Sequence, residues 1–124
     1  MELSSVLQKP DMMIGQEKRG YKFLKYVGKG KIGVVYKAEG QEVHDIVACK
    51  IIPTENLKKG WEIEVKKAVR LHGIPQVVQY RQHFPEMIEN IPHTFIMWDY
   101  VEGENLRDYC QKHSREITMS SIRN

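Results

Sequence analysis

Only two cysteines occur in the 124 residues, Cys49 and Cys110, and they form neither a C-x-x-C pair nor metal-finger spacing. The five histidines lie far apart in the chain. Both facts argue against a disulfide framework and against a zinc site, and the reducing cytoplasm is the expected compartment. No apolar run approaches the roughly 18 residues that suggest a membrane helix. The opening, MELSSVLQKPDMMIGQ, has no apolar core long enough for a signal peptide. No basic run of five or more residues occurs and the net charge is a mild +3, so nothing asks for a nucleic-acid partner. Internal repeats and low-complexity segments are also lacking. What is present is the composition of one ordinary domain, since 41% hydrophobic residues can build a core and 28% charged residues a soluble surface.

Residues 1–20 read as a polar leader broken by Pro10, Gly15 and Gly20, and flexibility is expected there. YKFLKYVG (21–28) and VVYKAEG (34–40) read as strands joined into a hairpin by a glycine-rich loop. DIVACKII (45–52) is a third strand, β-branched and closed by Pro53. The period then changes: Leu57, Trp61, Val65, Ala68 and Leu71 are spaced for a helix over 54–71, with Thr54 as N-cap and Gly73 as stop. QVVQYRQHF (76–84) and HTFIMWDYV (93–101) are two more strands, separated by a loop from Pro85 to Pro92. GENLRDYCQK (103–112) reads as a short helix, and ITMSSIRN (117–124) as the start of another. Three strands, a helix and two strands imply an α+β fold, a mostly antiparallel sheet with a helix on one face.

The hairpin loop, YVGKGKIGVVYKA, sets Gly28, Gly30 and Gly33 in the spacing G-x-G-x-x-G. A P-loop would follow its last glycine with Lys and then Ser or Thr, whereas Val34 and Val35 follow here. A dinucleotide-binding turn would open a helix at the third glycine, whereas a β-branched segment follows. The remaining pattern is G-x-G-x-x-G-x-V, a hairpin folded over a nucleotide, with Val35 in the last position. Glycine lacks a Cβ, so its backbone N–H can approach phosphate oxygens closely. Val35 can lay an apolar side chain on an adenine face. A bare hairpin tip would show the same spacing.

Lys50 stands inside the apolar strand VACKII, and the strand period leaves open whether it faces solvent or a site. Facing inward, it requires a negative partner. On a helix over 54–71, Glu64 falls between Leu57, Ala68 and Leu71 on the apolar stripe, and Glu62 at its edge. A Lys50–Glu64 ion pair would satisfy both charges and leave Lys50 free to reach phosphates.

GKGKIGVVYKA, VACKII, the segment carrying Glu64 and FIMWDYVEGENL, taken in order and spacing, resemble the N-terminal lobe of eukaryotic-type (Hanks-type) protein kinases, most closely the Ser/Thr kinases. The resemblance covers residues 21 to 112. It implies a five-stranded antiparallel sheet with one αC-type helix over residues 21–102, including the hinge, and the beginning of the C-terminal lobe's helices over 103–124. Gly28, Gly30 and Gly33 would cover the phosphates of ATP, and Val35 and Ala48 would sandwich its adenine. Lys50 would bind the α- and β-phosphates and pair with Glu64. Trp98 would be the gatekeeper, and the carbonyl of Asp99 and the N–H of Val101 would bond the adenine edge. Asn105 falls where some relatives contact ribose.

Several positions depart from the family pattern. Cys49 replaces the usual Ile or Val, Ile32 stands where an aromatic residue often sits, and Trp98 is bulky for a gatekeeper. LHGIPQVVQY is one residue longer than the family's turn. More consequentially, no His-Arg-Asp with a following Asn, no Asp-Phe-Gly and no Ala-Pro-Glu occurs in these residues. Arg107 and Asp108 do not substitute, because His113 stands where the Asn is needed. The family's Mg2+ ligands and peptide-docking surface would therefore belong to a complete kinase, and these residues alone are expected to be inactive. The alternative is a stand-alone, non-catalytic kinase-like lobe that presents its helix and sheet to a partner, against which stand the intact Lys50, Glu64 and three glycines. A small basic nucleic-acid binder is a third reading.

Overall fold

The computed structural model describes residues 4–67, 69–74 and 76–100. Its centre is a six-stranded, wholly antiparallel sheet. The strands are β1 (Glu17–Lys18), β2 (Tyr21–Lys29), β3 (Val34–Gly40), β4 (Ile46–Pro53), β7 (Tyr80–Ile88) and β8 (Ile91–Asp99), in the order β1-β2-β3-β4-β8-β7. A separate two-stranded ribbon pairs β5 (Val69–Arg70) with β6 (Val77–Val78). The sheet thus has one strand more than the expected five, the addition being the short edge strand β1. The glycine-rich hairpin forms as expected, with Lys29 opposite Val34. The β7–β8 connection does not form a loop from 85 to 92. Glu89 and Asn90, both at positive φ (49° and 68°), make a two-residue turn that keeps Ile88 opposite Ile91. Pro85 is tolerated because β7 is an edge strand, and Pro92 because it lies past the end of β4.

β4 and β8 lie inside the sheet with both faces covered, which is why VACKII and TFIMW read as unbroken apolar runs. The period of two then sorts the residues. Phe23, Val34, Tyr36, Ala38, Val47, Cys49, Ile51, Phe95 and Met97 pack on one face. Val35, Ala48, Ile52, Ile96 and Trp98 pack on the other.

The first face is closed by the segment expected to be a flexible leader. Residues Ser5–Gln8 form α1, and Pro10–Met13 a 3₁₀ turn. Val6 and Met13 are fully buried in the core, and the Tyr36 hydroxyl donates to the Pro10 carbonyl. Leu7 and Met12 pack against the same core, so four apolar side chains dock the strap once the sheet supplies a surface. The buried Ser4 Oγ lies 2.7 Å from His93 Nε2, and His93 Nδ1 donates to the Ile91 carbonyl at 2.7 Å.

Burial pushes the His93 imidazole below its usual range, with the bond to Ile91 opposing in part. The folded state therefore holds fewer protons than the unfolded chain in a window below the ordinary value of 6.5. The stability that neutral His93 confers is present above that value and is lost as pH falls towards the folded pKa. Thermal denaturation between pH 7.5 and 5 should show this loss, and His93→Gln should flatten it; identical slopes would contradict the assignment.

The helix expected over 54–71 is largely absent. A 3₁₀ turn at Thr54–Asn56 is followed by α2, only Trp61–Val65. Gly60, at φ 87°, forces a left-handed residue into the middle of the expected span. Thr54 does not cap; its hydroxyl meets that of Thr94 at 3.1 Å. Of the expected stripe, Leu57, Trp61, Val65 and Leu71 nevertheless pack on the second face, beside Val69, while Ala68 lies outside the described residues. Their burial matches the apolar stripe, although a turn, a short helix and a strand supply it in place of one helix.

Candidate functional site

Lys50 belongs to the second face, flanked in register by Val35 on β3 and Ile96 on β8. This answers the question the sequence period left open. Its ammonium sits under the glycine-rich hairpin, because a Cβ placed on Gly30 would lie 3.5 Å from Lys50 Nζ. The hairpin tip is closed by the Gly30 N–H donating to the Gly33 carbonyl at 2.9 Å. Gly33 is required by crowding: a Cβ there would come within 2.5 Å of the Ile51 carbonyl oxygen and 2.8 Å of Ile52 Cγ1. Lys50 is half-buried, and this desolvation lowers its pKa. Among the described residues no carboxylate lies within ion-pair distance of it.

The expected partner Glu64 is on α2, and no ion pair with Lys50 is formed. The Glu64 side chain is 75% exposed, and its Oε1 lies 3.9 Å from Lys67 Nζ. Glu62 is exposed as well. The five-residue α2 is too short to carry Glu64 along the face of the sheet. Lys50 and Glu64 do line one cavity of about 430 Å³, between Ile52, Ile96 and Trp98 on the sheet and Leu57 and Trp61 opposite. Lys58 and Lys59 also border it, so positive charge exceeds negative around a mainly apolar hollow.

Val35 and Ala48, assigned to the adenine, are 0% exposed and share one buried cluster with Leu71, Ile74 and Val78. The intervening turn is pressed against β2. A Cβ on Gly28 would meet His72 Cδ2 at 2.8 Å and the His72 carbonyl oxygen at 2.9 Å. Gly73, at φ +90°, leaves a Cβ only 2.7 Å from the Val27 carbonyl oxygen. Gly28 and Gly73 are thus places where two backbones touch. The sequence signalled this turn only through its glycine, which reads equally well as the end of a helix.

Trp98 is buried and donates its indole N–H to the Val65 carbonyl at 3.3 Å, tying β8 to the end of α2. Asp99 ends β8, and its N–H donates to the Gln79 carbonyl at 2.9 Å. A bulge between Tyr80 and Gln82 takes Arg81 out of the ladder. Arg81 then bridges Asp45 and Asp99, at 3.2 Å from Asp99 Oδ1, while the Tyr21 hydroxyl donates to Asp45 at 3.2 Å. Sequence reasoning missed this cluster, since a bulge has no signature in YRQH. Val101 and Asn105 lie outside the described residues, as do the expected helical pieces of 103–124. No cluster of three His, Cys, Asp or Glu side chains exists among the described residues, so these offer Mg2+ no built site. No helix among them is long and apolar enough to cross a membrane.

Residues 21–124 match the family described as "Protein kinase domain". The chain belongs to the protein kinase family. It is 31% identical over 99 residues to "Probable serine/threonine-protein kinase zyg-1" of Caenorhabditis elegans, an alignment covering 80% of this chain and 13% of that protein. It is 30% identical over 91 residues to "Serine/threonine-protein kinase 1" of Arabidopsis thaliana, covering 71% of this chain and 10% of that one. The chain therefore spans only about an eighth and a tenth of the length of these relatives. The match supports the resemblance drawn from the glycine-rich hairpin, VACKII and FIMWDYVEGENL, and the curled sheet is that of a kinase N-terminal lobe with one strand more than expected. In this kinase chain, a glycine-rich hairpin over a half-buried lysine can attract an anion by the charge of that lysine.

Proposed function

We propose that the chain is the ATP-gripping portion of a protein kinase whose complete form transfers the γ-phosphate to Ser or Thr of a protein. The observation that carries this reading is the Lys50 ammonium beneath Gly30, on the same face as Val35 and Ala48. Gly28, Gly30 and Gly33 would cover the phosphates, the Gly30 N–H exchanging its bond to the Gly33 carbonyl for one to a phosphate oxygen. Lys50 would neutralise their charge, and Asp99 with Val101 would hold the adenine edge. Glu64 would serve as counter-ion to Lys50 after α2 turns inward, since both already border one cavity. ATP supplies the phosphoryl group, and Mg2+ would enter with the complete kinase's own ligands. The protein substrate would dock on elements that these residues do not contain, and the working compartment would be the cytoplasm. These residues alone would transfer no phosphate, having neither catalytic base nor metal ligands.

A non-catalytic, partner-binding lobe is the second reading. It is favoured by the unformed Lys50–Glu64 pair and by the filled face at Val35 and Ala48. An ATP acyl phosphate separates the two. A lysine amine beside the phosphates attacks the acyl carbon, forms an amide and releases ATP. The lowered pKa of Lys50 leaves more of its amine free to react. Mass spectrometry should find Lys50 acylated and protected by excess ATP; labelling spread over exposed lysines, unaffected by ATP, would favour the second reading.

A further inference from the structure

We propose that the Leu71–Ile74 turn is an internal plug that competes with the nucleotide for the face formed by Val35 and Ala48. The inference rests on the ATP reading above and adds a means of regulating that site. Leu71 and Ile74 are buried on the second face with Val35, Ala48, Ile96 and Trp98. A purine ring seated on Val35 and Ala48 would need the volume that these two side chains occupy. The contact is made at backbone distance at both ends, His72 against Gly28 and Gly73 against Val27. It therefore brings the chain's own turn beside the first glycine of the hairpin.

The plug lies outside the main sheet. The Ile74 N–H donates to the Leu71 carbonyl at 3.0 Å, and among the described residues the strands flanking the turn are the two-residue β5 and β6. A ribbon that short is marginal in water, and such segments open at the low end of the local stability range. Displacement leaves the six-stranded sheet intact, because none of its ladders passes through the turn. Two states follow: closed, with Leu71 and Ile74 on the sheet, and open, with the face free for a base. Apparent affinity is then the intrinsic affinity scaled by the open fraction.

Gly73→Ala tests the plug. Alanine is strained at φ +90°, and its Cβ meets the Val27 carbonyl, so the turn must back away from β2. If about one molecule in ten is open, freeing the face tightens ATP binding up to about tenfold. The expected result is tighter ATP binding together with a lower Tm. A folded G73A chain that binds ATP no tighter than the unmodified chain overturns the plug and leaves the ATP reading standing. Failure of both chains to bind ATP overturns the ATP reading and the plug with it. Should G73A fail to fold, hydrogen exchange of the Ile74 amide in the unmodified chain decides. Saturation with a non-hydrolysable ATP analogue should speed that exchange, and unchanged or slower exchange overturns the plug.

Discussion

Phe95→Ala should destabilise the chain by about 3–5 kcal/mol, the usual cost of deleting a buried phenyl ring. Phe95 is fully buried on β8, where its backbone faces Ile51 on β4 and Phe84 on β7. Its ring stacks on Phe84 at 5.3 Å between centroids and meets Phe23 edge-on at 5.9 Å. The loss therefore opens a cavity among β2, β4, β7 and β8, in the cluster that also holds Val6 and Met13 of the leader strap. Domains of this size are stable by only about 5–15 kcal/mol, so the variant should lose a large fraction of its stability. Urea denaturation would measure this, with Phe95→Leu retaining most of the stability. A loss below about 1 kcal/mol would mean that Phe95 is not at the centre of the core.

Lys50→Ala should have the opposite profile, a large effect on nucleotide binding and little on stability. A hydrogen bond to a charged group is worth about 1.5–3 kcal/mol, so ATP affinity should fall about ten- to a hundredfold. In the complete kinase, phosphorylation should be lost. The fold should not suffer, because Lys50 makes no ion pair among the described residues and its half-burial disfavours the charge. Tm should hold or rise slightly. Lys50→Arg should not restore binding fully, since a planar fork under Gly30 is a different shape from a compact ammonium.

The strands were the most legible part of this molecule. β3, β4 and β8 announce themselves as β-branched or aromatic runs, and the hairpin glycines place the first turn. The face of Lys50 was not legible, because a strand covered on both sides shows no alternation; only the register with Val35 and Ile96 decides it. The helical reading of 54–71 failed for a related reason. Leu57, Trp61, Val65 and Leu71 are all inward-facing, yet a turn, a short helix and a strand can supply the same spacing. Gly60 was the local signal against one continuous helix. The leader strap was hidden because Val6 and Met13 gain their burial from distant partners such as Phe23 and Phe95. The plug was hidden likewise, since Gly73 reads as a helix stop until Val27 is seen beside it.

Calorimetric titration of the chain with ATP, beside Lys50→Ala, tests the nucleotide-gripping role most directly. Saturable binding at one site, weakened at least about tenfold by the substitution, is the expected result. Equal affinity in the two chains, or no saturable binding to the unmodified one, would contradict it.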